Sequence, residues 1–193
     1  LTNRWGEGDT IDEGFTWDKD QWWNHMSALA NYDRPEIAGE ELPSDTYRDN
    51  VAANLAVAEQ WITAHPETEF DFFLPPYSML FWDKVTREGR VDAVLAAIRQ
   101  AGETLLQYDN VRLYGYLMDA DIVTDLDNYC DYIHHSGEVC REILAMLRAD
   151  EGRLTEENLE ETLASWREFV VHYDYDKFWD EDFWTRWNAE HAA

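Results

Sequence analysis

"TEFDFFLPPYS", residues 68–78, is the stretch on which the reading of the fold turns. Phe70, Phe72, Phe73 and Leu74 crowd into five positions, and Pro75 and Pro76 stop the run. An apolar run this short, without clean alternation, suits a strand buried on both faces, as parallel strands are between layers of helices. Upstream, "ELPSDTYRDNVAANLAVAEQWITAHP" predicts a helix that Ser44 or Asp45 could cap. Val51, Leu55, Ala58 and Ile62 line its stripe, and Pro66 ends it. Downstream, Val91, Val94, Leu95, Ile98 and Leu105 give a second helical stripe between Arg90 and Tyr108. "NVRLYGYL", residues 110–117, then reads as the second strand. Helix, strand, helix, strand, helix in that order predicts a helix-rich α/β chain with parallel strands.

Outside this unit the signals are more varied. "FTWDKDQWWNHMSALANY" reads as a helix that Asp18 could cap, with Trp22, Met26 and Leu29 on one face. "MDADIVTDLDN" is rich in turn formers. "SGEVCREILAMLRAD" follows as a helix with Ser136 as cap and Val139, Ile143, Leu144 and Leu147 inward. In "LTEENLEETLASWREFVVHYDYD", Thr155 is the expected cap and Leu159, Leu163, Trp166 and Val170 the buried stripe. The 193 residues are read as a single domain, the C-terminal part of a longer one. Residues 1–45 form an acidic, Trp-rich region, 46–150 the α/β core, and 151–193 a helical extension.

Composition removes several functions. Forty-one acidic side chains against 15 basic ones give a formal charge of −26, and three of the basic ones are lysines: Lys19, Lys84 and Lys177. Such a surface repels phosphate, so nucleic acid is excluded as a partner. At 45% hydrophobic and 15% aromatic, the chain has ample material for a core. Cys130 and Cys140 are the two cysteines, too few for a disulfide framework, and are read as free thiols.

The chemistry-bearing stretch is "NYCDYIHHSGEVC", residues 128–140, with Asp131 three residues before His134. An aspartate so placed can hold an imidazole in one tautomer while the other ring nitrogen takes a hydroxyl proton. The spacing alone is weak, because a chain with six histidines and 41 acids produces such pairs by chance. A metal site from His134, His135 and either Asp127 or Asp131 is the competing reading. It lacks a His pair at i, i+4 and a Cys cluster, so no metal ligand is assigned. "HYDYD", residues 172–176, offers calcium oxygen ligands without a loop glycine and is read as solvated surface. Tyr77, Ser78 and Trp82, just past the first strand, are candidates to contact substrate. The ten tryptophans, among them Trp5, Trp17, Trp22 and Trp23, are read as core or as a domain contact, with stacking on sugar rings as the alternative.

Taken together, "AHPETEFDFFLPPYSMLFW", "YDNVRLYGYLMD" and "NYCDYIHHS" resemble the second half of an SGNH (GDSL-like) hydrolase. The likeness is to the bacterial cell-envelope members that transfer D-alanine to teichoic acid or modify exopolysaccharide acetyl groups. It covers roughly residues 50 to 150. The resemblance implies a three-layer α/β/α fold, with Asp131 as the orienting acid and His134 as the base. It also implies a serine ester hydrolase or O-acyltransferase without cofactor, acting on an acylated glycan or polyol at an extracytoplasmic bacterial surface. The family's nucleophile block has one near match, "GDT" at Gly8–Thr10, with no apolar strand before it. The serine is therefore expected from sequence outside this chain. A non-catalytic carbohydrate-binding or scaffold protein on the same fold is the alternative.

Overall fold

Two strands form where the apolar runs predict them, β1 (Phe70–Phe73) and β2 (Val111–Tyr114), in a computed structural model that describes residues 22–191. They pair in parallel, Phe70 opposite Val111 through Phe73 opposite Tyr114. A third strand, β3 (Arg153–Leu154), runs antiparallel to β2, so the sheet is small and mixed, in the order β1-β2-β3. Local pattern does not reveal β3, since a two-residue strand has no period to detect.

The helices are α1 (His25–Ala30), α2 (Arg48–Ala64), α3 (Met79–Arg87) and α4 (Val91–Leu105), followed by α5 (Ala120–Val123) and α6 (Gly137–Ala149). The last two are α7 (Leu159–His172) and α8 (Glu181–His191). Helix α4 packs on α2 and on α7, and α3 on both α4 and α7. Leu159, Leu163, Trp166 and Val170 of α7 are all buried, as their spacing requires. Val91, Leu95, Ile98 and Leu105 of α4 are buried as well, with Val94 half-buried.

Some expectations need correction. The strand β1 is an edge strand whose Asp71 and Phe73 are exposed, not a strand covered on both faces. Helix α1 begins at His25 because the Asn24 side chain caps it, accepting the Ser27 N–H. Its buried residue is Ala28, while Met26 and Trp22 are exposed. Asp18 lies outside the described residues. In α6, Val139 and Ile143 point inward, but Leu144 is exposed because the helix rests on one narrow stripe. Helix α3, not assigned from the sequence, starts three residues after the double proline, with Ser78 as its cap and Met79, Leu80, Trp82 and Val85 buried. Its C-terminus closes with Gly89 at positive φ, where Gly89 N–H donates to the Thr86 carbonyl and Arg90 N–H to that of Val85. This pair of bonds satisfies carbonyls that the helix end would otherwise leave open.

One charged residue lies deep in the core. Asp83 of α3 accepts hydrogen bonds from the Tyr32 hydroxyl at 2.8 Å and from Arg34 Nε and Nη2 at 2.9 Å each. Arg34 also reaches Asp176 at 2.7 Å, so one guanidinium ties the N-terminal segment to α3 and to the C-terminal region.

Candidate active site

The loop after the 3-10 turn Leu126–Asn128 folds back on itself before α6. Tyr129 and His135 form an antiparallel bridge, Cys130 N–H donates to the His134 carbonyl at 3.2 Å, and Ser136 N–H donates to that of Asn128 at 2.8 Å. Inside this closed tip, Asp131 Oδ1 accepts the N–H groups of Ile133 at 2.8 Å and His134 at 2.7 Å. An aspartate bonding backbone two and three residues ahead is a common turn device, and it accounts for Asp131 without reference to catalysis. The other oxygen is not needed by the turn. Oδ2 lies 2.6 Å from His134 Nδ1.

Partial burial alone would raise the Asp131 pKa. Hydrogen bonds from the His134 ring and from the His134 and Ile133 N–H groups outweigh it and hold the carboxyl below the usual aspartate value. The side chain of Asp131 is 22% exposed and that of His134 68%. An ionised carboxylate on Nδ1 places the proton there and leaves Nε2 as the acceptor, on a ring open to solvent. The pair sits beside the segment that leaves the C-terminal end of β1, since Ser78 donates from both its N–H and its Oγ to the Tyr132 carbonyl. Ligands approach open α/β sheets at that end of the strands.

No protein-family model matches this chain, and comparison with curated proteins and with solved structures returns no match.

The other candidates fall in different places. Ser78 is wholly buried, and besides Tyr132 its Oγ accepts Leu80 N–H at 3.2 Å as the cap of α3. Trp82 is also wholly buried, with its indole N–H on the Leu117 carbonyl at 3.3 Å and its ring against Trp166. Neither presents surface to a substrate: helix α3 turns both inward. Tyr77 is half-buried against Phe81, ring centroids 5.1 Å apart. Ser136 caps α6, as the sequence predicts. Among the described residues no serine hydrogen-bonds the His134 ring. Gly8–Thr10, Trp5 and Trp17 lie outside the described residues.

Asp127, weighed as a metal ligand, is engaged elsewhere. Its Oδ1 accepts the His25 backbone N–H at 2.9 Å and meets His25 Nδ1 at 2.8 Å. This second Asp–His pair joins α1 to the 3-10 turn Leu126–Asn128, and the His25 ring stacks on Trp184 of α8 at 3.7 Å, so the pair is a packing contact. Among the described residues, no three His, Cys, Asp or Glu side chains are grouped to hold a metal. Cys130 and Cys140 are free thiols; Cys140 Sγ lies 3.7 Å from His135 Nδ1. No helix among the described residues is long and apolar enough to cross a membrane.

Sequence reasoning missed Tyr129 and Asn31. Tyr129 is wholly buried with its hydroxyl on the Pro76 carbonyl at 2.8 Å, and Asn31 Nδ2 donates to the Cys130 carbonyl at 3.0 Å. Their partners lie 53 and 99 residues away in the chain. No local pattern carries that signal.

Proposed function

We propose that Asp131 and His134 are the acid–base part of a serine ester hydrolase or O-acyltransferase with a three-layer SGNH-like architecture. The substrate in this reading is an acyl group on a glycan or polyol of a bacterial cell envelope, outside the cytoplasm. The observation that carries it is the 2.6 Å contact between Asp131 Oδ2 and His134 Nδ1 on an otherwise exposed ring. Asp131 fixes the ring so that Nε2 can take the proton of an attacking serine, and it stabilises the imidazolium that results. His134 then returns that proton to the leaving alkoxide, and the acyl-enzyme is released to water or to an acceptor hydroxyl. This chemistry requires a serine and oxyanion donors beyond those that the described residues bring to His134. Exposed Trp22 and Trp61, together with the lack of a serine on His134 among the described residues, favour the second reading, a carbohydrate-binding scaffold.

Intact mass after exposure to a fluorophosphonate, which captures activated serines, tests the enzymatic reading. The 193-residue chain is expected to take no adduct, while a longer form carrying the same loop takes one that disappears in His134→Ala. A longer form that stays unlabelled, or is labelled equally in His134→Ala, rejects the acid–base role and leaves the scaffold.

A further inference from the structure

The loop bearing Asp131 and His134 is fastened from outside at three points that flank Asp131. Tyr129 donates its hydroxyl to the Pro76 carbonyl, Cys130 offers its carbonyl to Asn31, and Tyr132 offers its carbonyl to Ser78. Ser78 contributes twice, through its N–H at 3.2 Å and its Oγ at 3.0 Å. Two of the three fastenings therefore come from one turn, Pro75–Ser78, which leaves β1 and starts α3. That turn is stiff: its two prolines lock φ, and its serine is held by the first turn of α3. Two of the groups involved, Tyr129 and Ser78, are wholly buried, while Asn31 lies at the surface and the His134 ring projects outward.

A surface loop needs no such anchorage merely to close. We infer that the Pro75–Ser78 turn is a positioning device for His134, with Ser78 and Tyr129 as positioning residues; this rests on the acid–base reading of the Asp131–His134 pair. The reason is geometric. Asp131 Oδ2 meets Nδ1 while Oδ1 holds the N–H groups of Ile133 and His134, so the placement of the ring is tied to that of the loop backbone. Misplacement of a reacting group by about 1 Å is enough to cost two orders of magnitude in rate. A site held on a loop gains that precision from neighbours that lock it.

The test reads the ring and needs no nucleophile. In ¹⁵N-labelled protein, at a pH where His134 is neutral, its imidazole is expected to carry the proton on Nδ1. Tyr129→Phe removes one hydroxyl and leaves the ring volume intact. It is expected to raise the Nε2–H population of His134 several-fold and to speed amide exchange at Ile133 and His134, with the circular dichroism of the fold unchanged. Ser78→Ala should act the same way, and Ser78→Thr, which keeps the Oγ, should restore the wild-type tautomer. A folded Tyr129→Phe protein whose His134 tautomer and loop exchange match wild type overturns the inference, even if Ser78→Ala fails to fold. Fluorophosphonate labelling of His134→Ala judges the acid–base role separately, so a failed clamp and a failed base give different results.

Discussion

Asp131 uses one carboxylate for two purposes, and the two differ in what they reveal. Oδ1 closes the turn on Ile133 and His134, a duty that any Asx residue could perform. Oδ2 on Nδ1 needs the negative charge. The Asp131 pKa is lowered in the fold, so its contribution to stability is fully present above the unfolded aspartate value of about 4. It is lost as pH falls through the lower folded-state value. Asp131→Asn should therefore flatten the acid limb of a stability–pH curve while costing about 1 kcal/mol near neutrality, read from urea midpoints. A mutant whose acid limb superimposes on wild type would show that the pair contributes nothing to the fold. At this scale the D-x-x-H spacing was visible in the sequence, but the bond was not: spacing allows the contact, and only the hairpin backbone brings Oδ2 to the ring.

At the scale of elements, periodicity served best where a helix presents one stripe to a continuous core. All four predicted residues of the α7 stripe are buried. It failed where neighbours decide. Leu144 continues the apolar pattern of α6, yet it is exposed. Helix α3 was not assigned from the sequence, where the two prolines mark only the end of the strand, although a serine before an apolar run is also a capping signal. Its other end depends on Gly89, at φ +64, where an added Cβ would meet the Glu40 carbonyl oxygen at 2.7 Å. Gly89→Ala combines a left-handed backbone cost of about 1–2 kcal/mol with a collision against main chain, and should lower stability by roughly 2–3 kcal/mol. Thermal or urea unfolding checks this; a neutral result would mean that the 39–42 segment moves aside freely.

For the whole molecule, charge and connectivity pull in opposite directions. A net charge of −26 on 193 residues opposes compaction. Against it stands the Tyr32–Asp83–Arg34–Asp176 network, which joins segments far apart in the chain through a carboxylate in the core. Salt should therefore stabilise this protein. Raising NaCl from about 0.05 to 0.5 M shortens the screening length from over 10 Å to roughly 4 Å. The melting temperature should climb by about 2–4 °C for each kcal/mol of repulsion relieved. A melting temperature that falls with NaCl would mean that ion pairs such as Arg99–Glu160 and Arg167–Asp92 outweigh the repulsion.

What the sequence determined by itself was the class: a helix-rich α/β chain, its two main strands, the α4 and α7 stripes, and the loop in which Asp131 precedes His134. These are local properties, carried by residues within a few turns or one strand of each other, and hydrophobic period and spacing record them. Tertiary structure alone decided that β1 is an edge strand, that β3 exists, and that Trp82 and Ser78 face inward. It also decided that Tyr129 and Asn31 grip the Asp131 loop across 53 and 99 residues. Burial and long-range hydrogen bonds depend on which surfaces meet, and that is a property of the packed chain as a whole.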